Sequence, residues 1–249
     1  VNETLIGIHA VQEALLAGRR RCHVLWVENT AARRPPQQHL LALARRRRVD
    51  VRRGPGRIFR ELERRNAHHQ GCALEVGPLP LADWDDVWTR ADDCGEFPLL
   101  LAADHVQDPQ NLGALMRAAE NCGVHGVVIP KDRACPLSPV VSQASAGGLE
   151  HMLVVRVTNL ARELRRLQAR HIWVGGLESG DPQAQDIDAV DLDRPLALVV
   201  GNEGAGLSAG VRKQCDFLLH LRMWGRIGSF NAAHAAAISL YLARQARRG

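Results

Sequence analysis

The stretch Leu196-Ala-Leu-Val-Val200-Gly201-Asn-Glu-Gly-Ala-Gly206 decides the fold. Five apolar residues in a row, running into a glycine-rich turn, have the form of a strand covered on both faces, as strands are inside a parallel sheet. The turn marks the C-terminal end of that strand, where open parallel sheets bind their ligands. Working outward, residues 99–103, 124–129, 152–157, 172–177 and 217–221 read as strands of the same kind. Helices are predicted between them over 112–122, 139–146 and, capped by Thr158, up to Ala169. A last helix opens at Ser229 or Asn231 and runs to Arg247. Apolar strands alternating with helices give an α/β class with a mostly parallel sheet.

The front of the chain is built on a smaller scale. Residues 5–16 start apolar and continue as an amphipathic helix ending near Gly18. Strands at 23–27, 49–53 and 72–76 alternate with helices at 37–47 and 57–65, a small α/β module. Residues 77–98 change character, with Pro78, Pro80, Pro98 and five acids between Asp83 and Asp93. This segment reads as a linker holding a short helix around 84–90. The expected division is therefore a domain at 1–76, a linker at 77–98 and a domain at 99–249.

Composition narrows the function classes. The chain has 249 residues, 46% of them hydrophobic and 24% charged, which excludes wholesale disorder. No apolar run reaches the roughly 18–20 residues of a spanning helix, so no membrane role is expected. The first residues lack the basic-then-apolar pattern of a secretory signal. Cysteines at 22, 72, 94, 122, 135 and 215 have no metal-ligand or redox spacing, and neither do the scattered histidines. No metal is expected, and scattered thiols fit a reducing cytoplasm. Residues 1–75 hold fifteen Arg against seven acids, whereas residues 76–249 hold seventeen basic residues against twenty acids. A basic module joined to a near-neutral one suits a polyanion partner, although a GC-rich genome also favours Arg over Lys.

Three clusters carry the chemistry, each beginning at a predicted strand end. In Asp104-His-Val-Gln-Asp-Pro-Gln-Asn111-Leu-Gly113-Ala-Leu-Met-Arg117, Asn111 or a neighbour caps a helix and Arg117 falls within its first turn or two. Helix amides with an Arg would make a phosphate seat. In Gly201-Asn202-Glu203-Gly204-Ala205-Gly206 the glycines suit either a cofactor cradle or a plain strand-to-helix turn, and Glu203 is aimed above the sheet. The spacing G-x-x-G-x-G reverses the dinucleotide fingerprint, and the next strand along the chain ends in Leu221-Arg222-Met223 without an acid for a ribose. In Met223-Trp-Gly225-Arg-Ile-Gly228-Ser229-Phe230-Asn231 two glycines and a Ser/Asn pair open a helix of small residues.

In this order, N-x-G-x-x-x-R, G-N-E-G-x-G and M-x-G-x-x-x-S-F-N resemble the three motifs of the SpoU (TrmH-like) family within the SPOUT superfamily. Gly7-Ile-His-Ala-Val11, His69-Gln70-Gly71 and Val128-Ile-Pro-Lys-Asp-Arg133 extend the resemblance over nearly the whole chain, towards the RlmB-like branch. The resemblance implies an L30e-like RNA-binding domain at 1–76 and, at 99–249, a SPOUT α/β-knot methyltransferase domain with a deep trefoil knot. It implies a cytoplasmic homodimer that uses S-adenosylmethionine to methylate a guanosine ribose 2′-hydroxyl in the P-site loop of 23S rRNA. Gly201, Leu221, Met223 and Phe230 match cofactor positions, and Asn111, Arg117, Glu203, Ser229 and Asn231 match catalytic and substrate positions. Arg19, Arg20, Arg21, Arg45 and Arg46 are the candidates for RNA contact.

The chain departs from the family pattern at Arg222, where proline is usual, at Phe230, where leucine is common, and at Ala232-Ala233-His234, which replaces a Val-Ser-Val-like run and so lacks a hydroxyl at Ala233. A tRNA guanosine is the alternative substrate, and a non-catalytic RNA-binding or ribosome-assembly protein is the alternative class.

Overall fold

The computed structural model describes residues 2–54, 57–65 and 67–247; Val1, Pro55, Gly56, Asn66, Arg248 and Gly249 lie outside them. In chain order the front elements are β1 (Glu3–Ile6), α1 (Ile8–Ala17), β2 (Cys22–Val27), α2 (Pro35–Arg46), β3 (Asp50–Arg53), α3 (Arg57–Arg64) and β4 (Cys72–Val76). Then come α4 (Trp84–Cys94), β5 (Leu99–Ala103), α5 (Pro109–Asn121), β6 (Gly126–Pro130), α6 (Pro139–Ala144), α7 (Gly148–His151) and β7 (Val154–Val157). The rest are α8 (Leu160–Gln168), β8 (Trp173–Leu177), β9 (Gln185–Asp186), β10 (Leu196–Val200), α9 (Ala209–Arg212), β11 (Phe217–His220) and α10 (Ala232–Ala246).

The chain divides into two compact units, Val1–Pro80 with Leu137–His151, and Leu81–Pro136 with Met152–Gly249. The first holds a four-stranded sheet in the order β1-β4-β2-β3, in which only β2 and β3 run parallel. Leu25, Val27, Cys72, Leu74 and Val76 turn one face of it onto Val11, Leu15, Leu40, Leu41 and Ala44 of α1 and α2. β1 is the strand that the apolar start at residue 5 concealed, because four residues beside a helix give too short a period to read.

Residues 137–151, which the sequence reading gives to the second domain, join the first unit through a buried ion pair. Glu150 is 1% exposed and accepts from Arg20 Nε at 2.8 Å, Arg20 Nη2 at 3.0 Å and Ser142 Oγ at 2.8 Å. Arg20, 4% exposed, also pairs with Glu3 and donates to the Gly77 carbonyl. Arg20 is therefore spent inside the unit and is no RNA contact. Arg19 is half-buried and donates to the carbonyls of Pro80 and Glu150, while Arg21, Arg45 and Arg46 are exposed.

The second unit carries an all-parallel seven-stranded sheet, ordered β7-β6-β5-β10-β8-β11-β9. Every residue of β5 and of β10 is buried, as two covered faces require. The expected linker is ordered at α4, where Asp83 and Asp86 close a reciprocal capping box and Val87 joins the core under the sheet. Asn159 rather than Thr158 caps α8, its side chain accepting the Arg162 amide. α10 packs on both α5 and β10. His125 is buried, and its Nδ1 accepts the Leu99 amide at 2.9 Å.

Two tests follow from this packing. Glu150→Ala leaves the buried Arg20 guanidinium with Glu3 and the Gly77 carbonyl alone, and urea unfolding should find the protein destabilised by about 3 kcal/mol; a loss below about 1 kcal/mol would mean that Arg20 is solvated. Burial holds His125 below the ordinary imidazole value, outweighing the pull of Glu96 at 3.6 Å. The unfolded chain binds that proton near pH 6.5 and the folded chain only at lower pH, so its contribution is whole above about pH 6.5 and is lost as pH falls below. Stability measured at pH 7.5 and pH 5.5 should fall less in His125→Gln than in the parent; equal slopes would contradict this.

Candidate active site

The helix that follows β5 starts earlier than the spacing suggests. Asp108, not Asn111, is the cap of α5, accepting the Asn111 amide at 2.8 Å, with Pro109 in the first turn where its missing N–H costs nothing. Asn111 thus lies inside the first turn. Arg117 sits six residues beyond it, about 9 Å further along the axis and on another face. Arg117 is exposed and two turns from the helix start, so it does not form the expected phosphate seat with the helix amides.

Asn231 caps α10, its Oδ1 accepting from the amides of Ala233 at 2.9 Å and His234 at 3.3 Å. These are backbone groups, so the absence of a hydroxyl at Ala233 leaves the cap intact. The Nδ2 of the same side chain donates to Asn111 Oδ1 at 3.1 Å and to Glu203 Oε1. One amide therefore joins three segments spread over 120 residues of chain.

Beside this junction lies a cleft of about 450 Å³, lined by Leu177, Glu178, the run 200–206, Leu219 to Leu221, Met223 and Ser229 to Ala232. Its floor is the C-terminal edge of β10, β8 and β11. The turn from Gly201 to Gly206 folds back on itself, with paired Asn202–Gly206 backbone bonds of 3.1 and 3.0 Å. A Cβ on Gly201 would fall 2.2 Å from the Gly206 carbonyl carbon, so any side chain there would force the turn open. The cleft brings together Gly201, Glu203, Leu221, Met223, Ser229, Phe230 and Asn231 of the candidates; Asn111 is tied to its rim, and Arg117 is not among the lining residues. Backbone N–H and C=O groups of two strand ends beside Leu177, Leu221, Met223 and Phe230 suit a flat heteroaromatic group, and the volume suits a nucleoside-sized ligand.

Arg222 does not enter the cleft. Its guanidinium pairs with Asp186, whose carboxyl is held below the usual range by the Asp188 amide and by Arg222 itself. Burial pushes the Cys72 and Cys215 thiols up to about 12, which unfits these two for nucleophilic chemistry. The fold gives His69 the acidic company its sequence neighbours lack, with Glu28 and Glu63 close by. Its Nδ1 accepts the Gly71 amide at 3.1 Å, so the neutral ring carries its proton on Nε2 and has no lone pair left for a cation.

Residues 98–241 match the SpoU rRNA Methylase family, and residues 4–82 match the family described as RNA 2'-O ribose methyltransferase substrate binding. The chain is 37% identical over 240 residues to YacO of Bacillus subtilis, covering 96% of this chain and 94% of YacO, whose name places it with the TrmH family tRNA/rRNA methyltransferases. A Staphylococcus haemolyticus protein with the same family name is 35% identical over 237 residues, covering 95% of this chain and 93% of its own. The solved SpoU methyltransferase AviRb of Streptomyces viridochromogenes, in complex with AdoMet, superposes with a TM-score of 0.79 at 25% identity, covering 100% of this chain and 91% of AviRb.

Proposed function

The chain belongs to the SpoU rRNA Methylase family, and from that premise we propose that it methylates a guanosine ribose 2′-hydroxyl in the P-site loop of 23S rRNA. Family membership makes it an S-adenosylmethionine-dependent RNA 2′-O-methyltransferase of the SPOUT class. The choice of ribosomal RNA, and of that guanosine, is the proposal. What supports that choice is the substrate-binding module matched at residues 4–82 together with the rRNA methylase match at 98–241, while the hydrogen-bonded junction of Asn111, Glu203 and Asn231 at the rim of a nucleoside-sized cleft supports methyl transfer at this site.

Gly201, Leu221, Met223 and Phe230 would hold the cofactor, the strand ends through backbone groups and the larger side chains through apolar contact. When bound, S-adenosylmethionine supplies a methyl carbon made electrophilic by a positively charged sulfur. The chain's share of the chemistry is alignment. Asn111, Glu203, Ser229 and Asn231 orient the ribose. A guanidinium offers donors and a fixed positive charge but no acceptor, so Arg117 acts as a charge and not as a base. It holds the phosphate next to the target ribose and steadies negative charge as it grows on the attacking oxygen.

Arg117 lies outside the cleft of its own chain, which fits a homodimer in which each Arg117 serves the other copy's site. Trp224 and Ile227, 88% and 81% exposed on the loop beside the cleft, are apolar surface that a second copy would take out of water. Arg21, Arg45 and Arg46 remain exposed for RNA phosphates, without Arg20. Among the described residues no helix is long and apolar enough to cross a membrane, and six free cysteines suit a reducing cytoplasm. A tRNA guanosine is the second reading, because the names of the relatives cover both RNA classes.

Transfer of labelled methyl groups to 23S rRNA and to tRNA tests both parts. The parent should label 23S rRNA; Arg117→Ala should slow transfer roughly a hundredfold or more while calorimetry finds cofactor binding unchanged. Label on tRNA alone would move the substrate, and unchanged turnover in the variant would remove Arg117 from the mechanism.

A further inference from the structure

Chain order hides which strand end faces the Gly201–Gly206 turn. Along the chain β11 follows β10, and β11 leads into Leu221-Arg222-Met223, with no acid. In the sheet, β8 lies between β10 and β11, so on that side of β10 the neighbour is β8 and not β11. β8 runs directly into Glu178, which lines the cleft. In parallel-sheet nucleotide sites, an acid near the end of the strand beside the glycine turn accepts hydrogen bonds from ribose hydroxyls.

The local geometry leaves this carboxylate available. The Glu178 amide donates to the Leu219 carbonyl at 2.9 Å, which pins its backbone to β11. Among the described residues its Oε2 receives one long bond, 3.5 Å, from the Leu207 amide. Its Oε1 faces Gly206, where an added Cβ would sit 2.9 Å away, so the glycine keeps that oxygen clear. Glu203, the other acid lining the cleft, is already engaged by Asn231. An ionised carboxylate is an acceptor with two oxygens, a match for the two donors of a vicinal diol.

We propose that Glu178 holds the ribose diol of the cofactor in this cleft. The assignment rests on the S-adenosylmethionine reading above and adds a residue to it.

Calorimetry on the full chain tests it, with S-adenosylhomocysteine and its 2′-deoxy counterpart as probes. The parent should bind the deoxy compound roughly ten- to hundredfold more weakly, as expected for hydrogen bonds to a charged group. Glu178→Ala should weaken S-adenosylhomocysteine by a similar factor and bring the two probes to within about threefold of each other. Glu178→Gln, which keeps the shape and one acceptor, should fall between, and serves if the alanine variant does not fold. Parent-like affinity in either variant, a deoxy penalty that is undiminished in them, or no penalty in the parent would overturn the assignment. A loss confined to S-adenosylmethionine would also overturn it, placing the carboxylate on the sulfonium. Failure of the parent to bind any probe would instead strike at the cofactor reading.

Discussion

The side-chain amide of Asn231 is the interaction on which the second unit's site depends. Its oxygen closes the first turn of α10, and its nitrogen reaches Asn111 on α5 and Glu203 in the turn after β10. An amide can do this because it offers acceptor and donor at once; a carboxylate there would meet Glu203 with like charge, and an alanine would satisfy neither side. A helix cap of this kind is worth about 1 kcal/mol in stability. Its larger consequence is registration, since it sets the relative positions of three segments that share no local sequence.

Those segments can converge because the sheet is wound out of chain order. β10 lies between β5 and β8, so the turns that leave β5 and β10 emerge side by side, and the one that leaves β11 returns towards them. The apolar strands supply the rigidity: β5 and β10 are buried along their whole length, and the polar residues that matter are confined to the loops at one edge. The site sits on these fixed strand ends with loops around it, an arrangement suited to aligning two substrates with little covalent participation by the protein.

Much of this was legible in the sequence, and the parts that were not share a physical cause. Strands at 99–103 and 196–200 could be read to the residue because a run buried on both faces has sharp boundaries, and the one at 72–76 because glycines 71 and 77 bracket it. The start of α5 was misplaced because Asp108-Pro109 is itself a good helix opening and competes with Asn111 three residues later. Arg20 looked like one of a basic trio; nothing local reveals that its partner is Glu150, 130 residues away. Glu178 escaped notice for the same reason on the scale of the sheet, since the strand that neighbours β10 in space precedes it in sequence, with β9 between them. Periodicity reports which face is buried, whereas pairing across a sheet and charge pairing across a fold are non-local and leave no periodic trace.

The central claim is that Asn231 and Glu203 act as one unit in positioning the substrate, and a double-mutant cycle on the rate of methyl transfer measures this directly. With Glu203→Gln, Asn231→Ala and the combined variant, the account predicts that the double variant is little slower than the slower single variant. Losses that multiply, with no coupling between the two sites, would contradict it.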